Sequence, residues 1–117
     1  MPNFVRSDID SPLIDFFCGV SANIYQFEHG AGFPGHSDPY DVVIVCLYGY
    51  KSVSVEGVTH FLDAGEYLVV ERGLSHTTRN DGYCLSMTIR LPEFPVQGCR
   101  YPKQGQLAKV LNGDYDG

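Results

Sequence analysis

An all-β fold, a sandwich or barrel of about eight strands, is predicted for this chain of 117 residues. Three observations predict it. Short runs rich in valine, isoleucine, tyrosine and phenylalanine recur along the chain, punctuated by glycine, proline and aspartate. Several of these runs alternate apolar and polar residues, as a strand with one buried face does. No stretch of about ten or more residues carries a convincing helical period, so no long helix is expected.

The strand-like runs fall at residues 13–18, 20–29, 41–48, 51–56, 58–63, 66–71, 75–79 and 83–91. In the run from Lys51 to Glu56, Val53 and Val55 alternate with Ser52 and Ser54, and Glu56-Gly57 then reads as a tight hairpin turn. In the run from Tyr83 to Arg90, Tyr83, Leu85, Met87 and Ile89 share one face. Cys84, Ser86, Thr88 and Arg90 share the other, which either lines a polar cavity or meets water. The run from Val42 to Tyr48 is apolar on both faces, so its second face needs a cover. A partner subunit is one candidate, making a homodimer the expected assembly; a terminal segment folded across the strand is the other. Beyond Leu91, Pro92, Pro95, Gly98, Pro102 and Gly105 interrupt regular structure. Residues 106–111 are left as a short helical turn or a last edge strand.

The length fits a single domain spanning 1–117. Acidic residues outnumber basic ones 14 to 8, for a net charge of −6. Long-range repulsion therefore argues against nucleic acid and against an anionic membrane as partners. No basic region followed by an apolar stretch opens the chain, and no window approaches a membrane span. A cytoplasmic location is expected. Cys18, Cys46, Cys84 and Cys99 are widely spaced, with no C-x-x-C pair, and are expected as reduced thiols. Cys46 and Cys84 lie inside strand-like runs, where a free cysteine packs as a small hydrophobe.

Two segments carry the chemistry. In the first, His36 and Asp38 stand two residues apart, which on a strand places both side chains on one face. In the second, a strand from Gly65 turns sharply at Arg72-Gly73 and delivers His76 on the returning strand. Such a hairpin can bring a third ligand opposite the first two.

These segments resemble the two motifs of the cupin family. Gly30, five residues, His36, Ser37, Asp38 and a later Gly49 follow the frame of the first motif, with Asp38 in its second histidine position. The glutamate position falls on Val42 or Val43, and Asp41 sits one residue early. Gly65, Gly73, His76 and Asn80 match the second motif at every spacing, with Glu71 in place of its proline. The fifteen residues between Gly49 and Gly65 suit the short spacing of small microbial cupins. The resemblance covers about residues 24–92.

The resemblance implies a jelly-roll barrel, the cupin double-stranded β-helix, with a cavity at one end. It implies metal ligands at His36, Asp38 and His76, with Asp41 as the other carboxylate near His36. Two imidazoles and one carboxylate suit a divalent iron, manganese, nickel or zinc ion. Asp38-Pro39 equally suits an exposed loop, where aspartate is a common turn residue. Glu71, beside the pocket, is a candidate general acid or base. His29 and His60 read as surface or half-buried side chains, and Asn80 as a structural hydrogen-bonder.

The function expected is that of a metal-dependent enzyme acting on a small polar metabolite, with dioxygenase, isomerase and lyase chemistry unresolved. The alternative is a metal-free small-molecule-binding or sensor module. A narrower variant rests on likeness to the 2-oxoglutarate-dependent oxygenases, in which Arg90, fourteen residues beyond His76, would hold a co-substrate carboxylate.

Overall fold

The computed structural model describes residues 4–9, 12–27, 32–80, 82–93 and 108–109. In chain order they form β1 (Phe4–Ile9), α1 (Pro12–Phe16), β2 (Ser21–Phe27), β3 (Gly32–His36), β4 (Val42–Tyr48) and β5 (Tyr50–Val55). β6 (Val58–Asp63), β7 (Glu66–Val70), β8 (His76–Arg79), β9 (Cys84–Arg90) and β10 (Ala108–Lys109) follow. Two antiparallel sheets result, one in the order β1-β2-β9-β4-β7-β10 and one in the order β3-β8-β5-β6. Neighbours within each sheet are mostly distant in sequence, because the chain passes between the sheets as a jelly roll does.

Turn chemistry sets the chain reversals. Glu56 and Gly57 both adopt positive φ, 48° and 85°, in the two-residue link that pairs Val55 with Val58. Gly73 has φ 81° in the β7–β8 turn, where the Leu74 N–H donates to Glu71 O at 3.3 Å.

Apolar side chains form two cores. Phe27, Ile44, Val53, Leu62, Leu68 and Val70 come from both sheets and pack between them. Val43, Val45, Val69, Met87 and Ile89 come from the larger sheet alone and pack with Leu13 and Phe17 on its outer face. The strand that is apolar on both sides is thus β4: Val42 and Ile44 face inward, Val43 and Val45 outward. Its outer cover comes from within the chain, which meets the need that had pointed to a partner subunit.

That cover corrects the strand expected at 13–18. The segment is a helix, with Pro12 at its start, where a missing N–H costs nothing. Leu13 and Phe17, one turn apart, share the buried face, while Asp15 is exposed. Cys18, at φ 57°, ends the helix, and the Gly19 N–H returns to Ile14 O at 2.7 Å. A period needs more than five residues to declare itself. Cys18 is also disulfide-bonded, which corrects the expectation of four reduced thiols, whereas Cys46 and Cys84 are free.

Two strands, β1 and β3, were not anticipated. β1 pairs with β2 along its whole length. β3 forms from a segment with two glycines and a proline, residues tolerated because it lies at a sheet edge with a register shift between Phe33 and His36. β10 resolves part of the 106–111 ambiguity in favour of an edge strand, paired with β7. His29 and Cys99 lie outside the described residues.

Candidate metal centre

His36 is the last residue of β3 and stands opposite His76, the first residue of β8. Their ring centroids are 4.4 Å apart. Asp38 reaches the same place by another route than the one expected. β3 has ended before it, so strand alternation does not aim its side chain. Instead, the Gly73 N–H donates to Asp38 O at 2.9 Å, tying the loop to the β7–β8 turn. Gly73 has open space where a Cβ would project, so its positive φ, not crowding, is what the turn requires.

The Asp38 Oδ2 lies 3.7 Å from His36 Nε2 and 3.5 Å from His76 Nε2. One donor atom from each of the three residues falls within 4.8 Å of the others. These gaps are long for direct hydrogen bonds. Donors sharing one ion at about 2.1 Å stand about 3.0–3.5 Å apart, close to the two gaps from Asp38 to the imidazoles. The donor set, two imidazoles and one carboxylate, fits a divalent transition metal.

His76 is prepared for that role. Its Nδ1 lies 3.2 Å from Leu74 O; a proton there donates to the carbonyl and leaves the Nε2 lone pair facing Asp38. Burial holds the His76 pKa below the ordinary imidazole range, assisted by His36 and opposed by Leu74 O and Asp38. Its side chain is 7% exposed, Asp38 22% and His36 44%, so the cluster opens to solvent on the His36 side.

The other candidates are placed apart. Asp41 is not in the cluster: its Oδ1 accepts from Arg72 N at 2.7 Å and Nε at 3.3 Å, and its Oδ2 from Nη2 at 3.2 Å. The same Nη2 donates to Glu93 O at 2.8 Å. Asp41 therefore clamps the β4 entry to the β7–β8 turn through Arg72. Glu71 is exposed at that turn. Arg90, also exposed, lays its guanidinium over the Tyr40 ring at 4.3 Å. His60 is half-buried on β6, outside the cluster. Asn80 is buried.

Sequence reasoning missed Leu74 O, which orients His76, and Thr78. Thr78 shares the inward face of β8 with His76, is buried, and its Oγ1 has no hydrogen-bond partner among the described residues. Its position two residues after His76 on a strand was the available signal. Nothing in the sequence marks a backbone carbonyl.

The family model for the cupin domain matches residues 23–87. No curated protein matches the chain. Among solved structures, a cupin 2 conserved barrel domain protein from Leptotrichia buccalis is similar at TM-score 0.65 and 18% identity, over 77% of this chain and 41% of that one. A cupin superfamily protein from Desulfitobacterium hafniense is similar at TM-score 0.66 and 14% identity, over 78% and 79% of the two chains. A salicylate 1,2-dioxygenase from Pseudaminobacter salicylatoxidans is similar at TM-score 0.66 and 14% identity, over 77% and 26%. The chain thus spans less than half the length of the Leptotrichia protein and about a quarter of the dioxygenase. At these identities the likeness is one of fold.

Proposed function

This chain belongs to the cupin family, and from that premise we propose that it binds a divalent metal at His36, Asp38 and His76 and acts as an enzyme on a small polar metabolite. The observation that carries the reading is the convergence of three donor atoms from a strand end, a loop and a second strand within 4.8 Å of one another. When bound, an iron, manganese, nickel or zinc ion supplies Lewis-acid or oxygen-activating chemistry. Asp38 offsets part of the ion's charge, which two neutral imidazoles do not. Leu74 O fixes the His76 tautomer, and the exposed edge of His36 leaves an approach for the metabolite. The Thr78 hydroxyl, buried on the His76 face, offers a hydrogen bond to a polar group held in the barrel. The likeness in fold to a dioxygenase supports oxygen chemistry as one reaction class beside isomerase and lyase chemistry.

A metal-free binding module is the second reading. What favours it is that only three donors converge among the described residues, one of them on a loop. Metal analysis of the purified protein, followed by titration with iron(II), manganese, nickel and zinc, separates the two. The parent should bind one ion per chain. Asp38→Ala should lose it while keeping the parent's circular dichroism, and Asp38→His should keep it. Unchanged metal content in Asp38→Ala would reject the proposed site.

A further inference from the structure

A second cluster of titratable side chains lies between the sheets, away from the histidines. Lys51 is only 2% exposed. It stands four residues before Val55, the strand partner of His76, which puts it about 13 Å along β5 at about 3.3 Å per residue. Its Nζ donates to Ser86 Oγ at 3.3 Å and sits 4.1 Å from the centroid of the Phe27 ring. Beside it are Cys46 and Cys84, both free and fully buried, and near enough for each to shift the other's titration. Cys84 shares the inward face of β9 with Ser86, and Ser86 stands opposite Cys46 on β4.

A buried ammonium without an anion costs several kcal/mol, and a hydroxyl and an aromatic face offset only part of that. Among the described residues no carboxylate pairs with Lys51, and the two thiols beside it are the groups that favour its charged form. The economical arrangement is one thiolate for one ammonium. Cys46 is the thiol that keeps its proton: its sulfur has two carbonyl oxygens beside it, Tyr48 O at 3.7 Å and Gly49 O at 3.6 Å. Its neighbour Cys84, then burial, push its pKa up, while Cys46 and, against its own burial, Lys51 hold Cys84 below the ordinary thiol range. Burial lowers Lys51 to about 8.

We propose that Cys84, Cys46 and Lys51 form a buried dithiol site that hydrogen peroxide oxidises to a Cys46–Cys84 disulfide. The Cys84 thiolate attacks one peroxide oxygen; the S–O bond forms as the O–O bond breaks, and the leaving hydroxide takes a proton from Lys51 to become water. Cys46 sulfur then attacks Cys84 sulfur; the S–S bond forms, the S–O bond breaks, and the Cys46 proton leaves with the hydroxyl as a second water. Two sulfurs are oxidised by one electron each and the peroxide is reduced by two. Lys51 ends as a neutral amine, the form its burial favours once its anion is gone. Both sulfurs are fully buried, so an oxidant little larger than water reaches them more readily than glutathione disulfide does.

The test is peptide mapping of the full chain after hydrogen peroxide at pH 7, with alkylation under denaturing conditions. The expected result is joint loss of Cys46 and Cys84 alkylation and a cross-linked peptide, with no reaction from glutathione disulfide. Cys46→Ser should leave a sulfenic acid on Cys84, captured by a 1,3-dione probe. Lys51→Met should slow oxidation about tenfold as the thiolate fraction falls. Both thiols still alkylatable after peroxide, capture of the sulfenic acid on Cys46 in Cys84→Ser but none on Cys84 in Cys46→Ser, or a folded Lys51→Met that oxidises at the parent rate would overturn the proposal. Should Lys51→Met not fold, the parent map and the two serine variants decide it.

Discussion

Phe17→Ala tests whether the chain itself covers the outer face of its larger sheet. Phe17 is 1% exposed and makes edge-on contacts with Tyr67 at 4.9 Å and Phe16 at 4.8 Å. Truncation returns about 150 Å² of buried apolar surface to the accounting, which at about 25 cal/mol per Å² is about 4 kcal/mol. The ring contacts and the cavity left behind act in the same direction, and collapse of neighbours against it, so the expected loss is about 3–5 kcal/mol. For a domain of this size that lowers Tm by about 15–30 °C. Phe17→Leu, which keeps most of the volume, should cost only about 1 kcal/mol. Urea unfolding of the three proteins gives the differences, and light scattering run alongside gives the oligomeric state. Metal content should not change in Phe17→Leu, because His36, Asp38 and His76 lie on the opposite side of that sheet. A loss below about 1 kcal/mol for Phe17→Ala, in a protein that scatters as a dimer, would refute the reasoning: a second subunit would then be the cover.

Three further outcomes follow from the geometry. Asp41→Asn should keep one metal ion per chain while losing about 1 kcal/mol of stability, since its partner Arg72 is partly exposed and the pair is screened; lost metal would put Asp41 back among the ligands. Gly49→Ala should destabilise by about 2 kcal/mol or more in urea, because φ is +82° and the added Cβ meets the Tyr83 carbonyl oxygen; a parent-like midpoint would contradict that turn. His76 has a folded-state pKa below its unfolded value, so the unfolded chain binds the extra proton between the two. Its contribution to metal-free stability is therefore complete above about pH 6.5 and is lost as pH falls through the folded value. His76→Gln should flatten that part of the urea-midpoint profile, and a profile with unchanged slope would remove His76 as its source.

The strand runs, the hairpin at Glu56-Gly57 and the turn at Gly73 were legible in the residues themselves, because backbone preference and period-two alternation act locally. So were His36, Asp38 and His76, whose spacing follows a shared pattern. What stayed hidden depends on contacts between distant segments. Five residues at 12–16 are too few to show a helical period, and they become a helix because an apolar sheet face is there to receive Leu13 and Phe17. β3 looks unfit for a sheet until its place at an edge removes the demand on Pro34. Asp38 and Asp41 are both candidate ligand carboxylates by sequence. Only the folded chain, by setting Arg72 against one and two imidazoles against the other, gives them different work. Lys51 reads as the polar start of an alternating strand, and only the closing of two sheets, which strips water from its ammonium and sets two thiols beside it, makes it a buried charge in need of an anion.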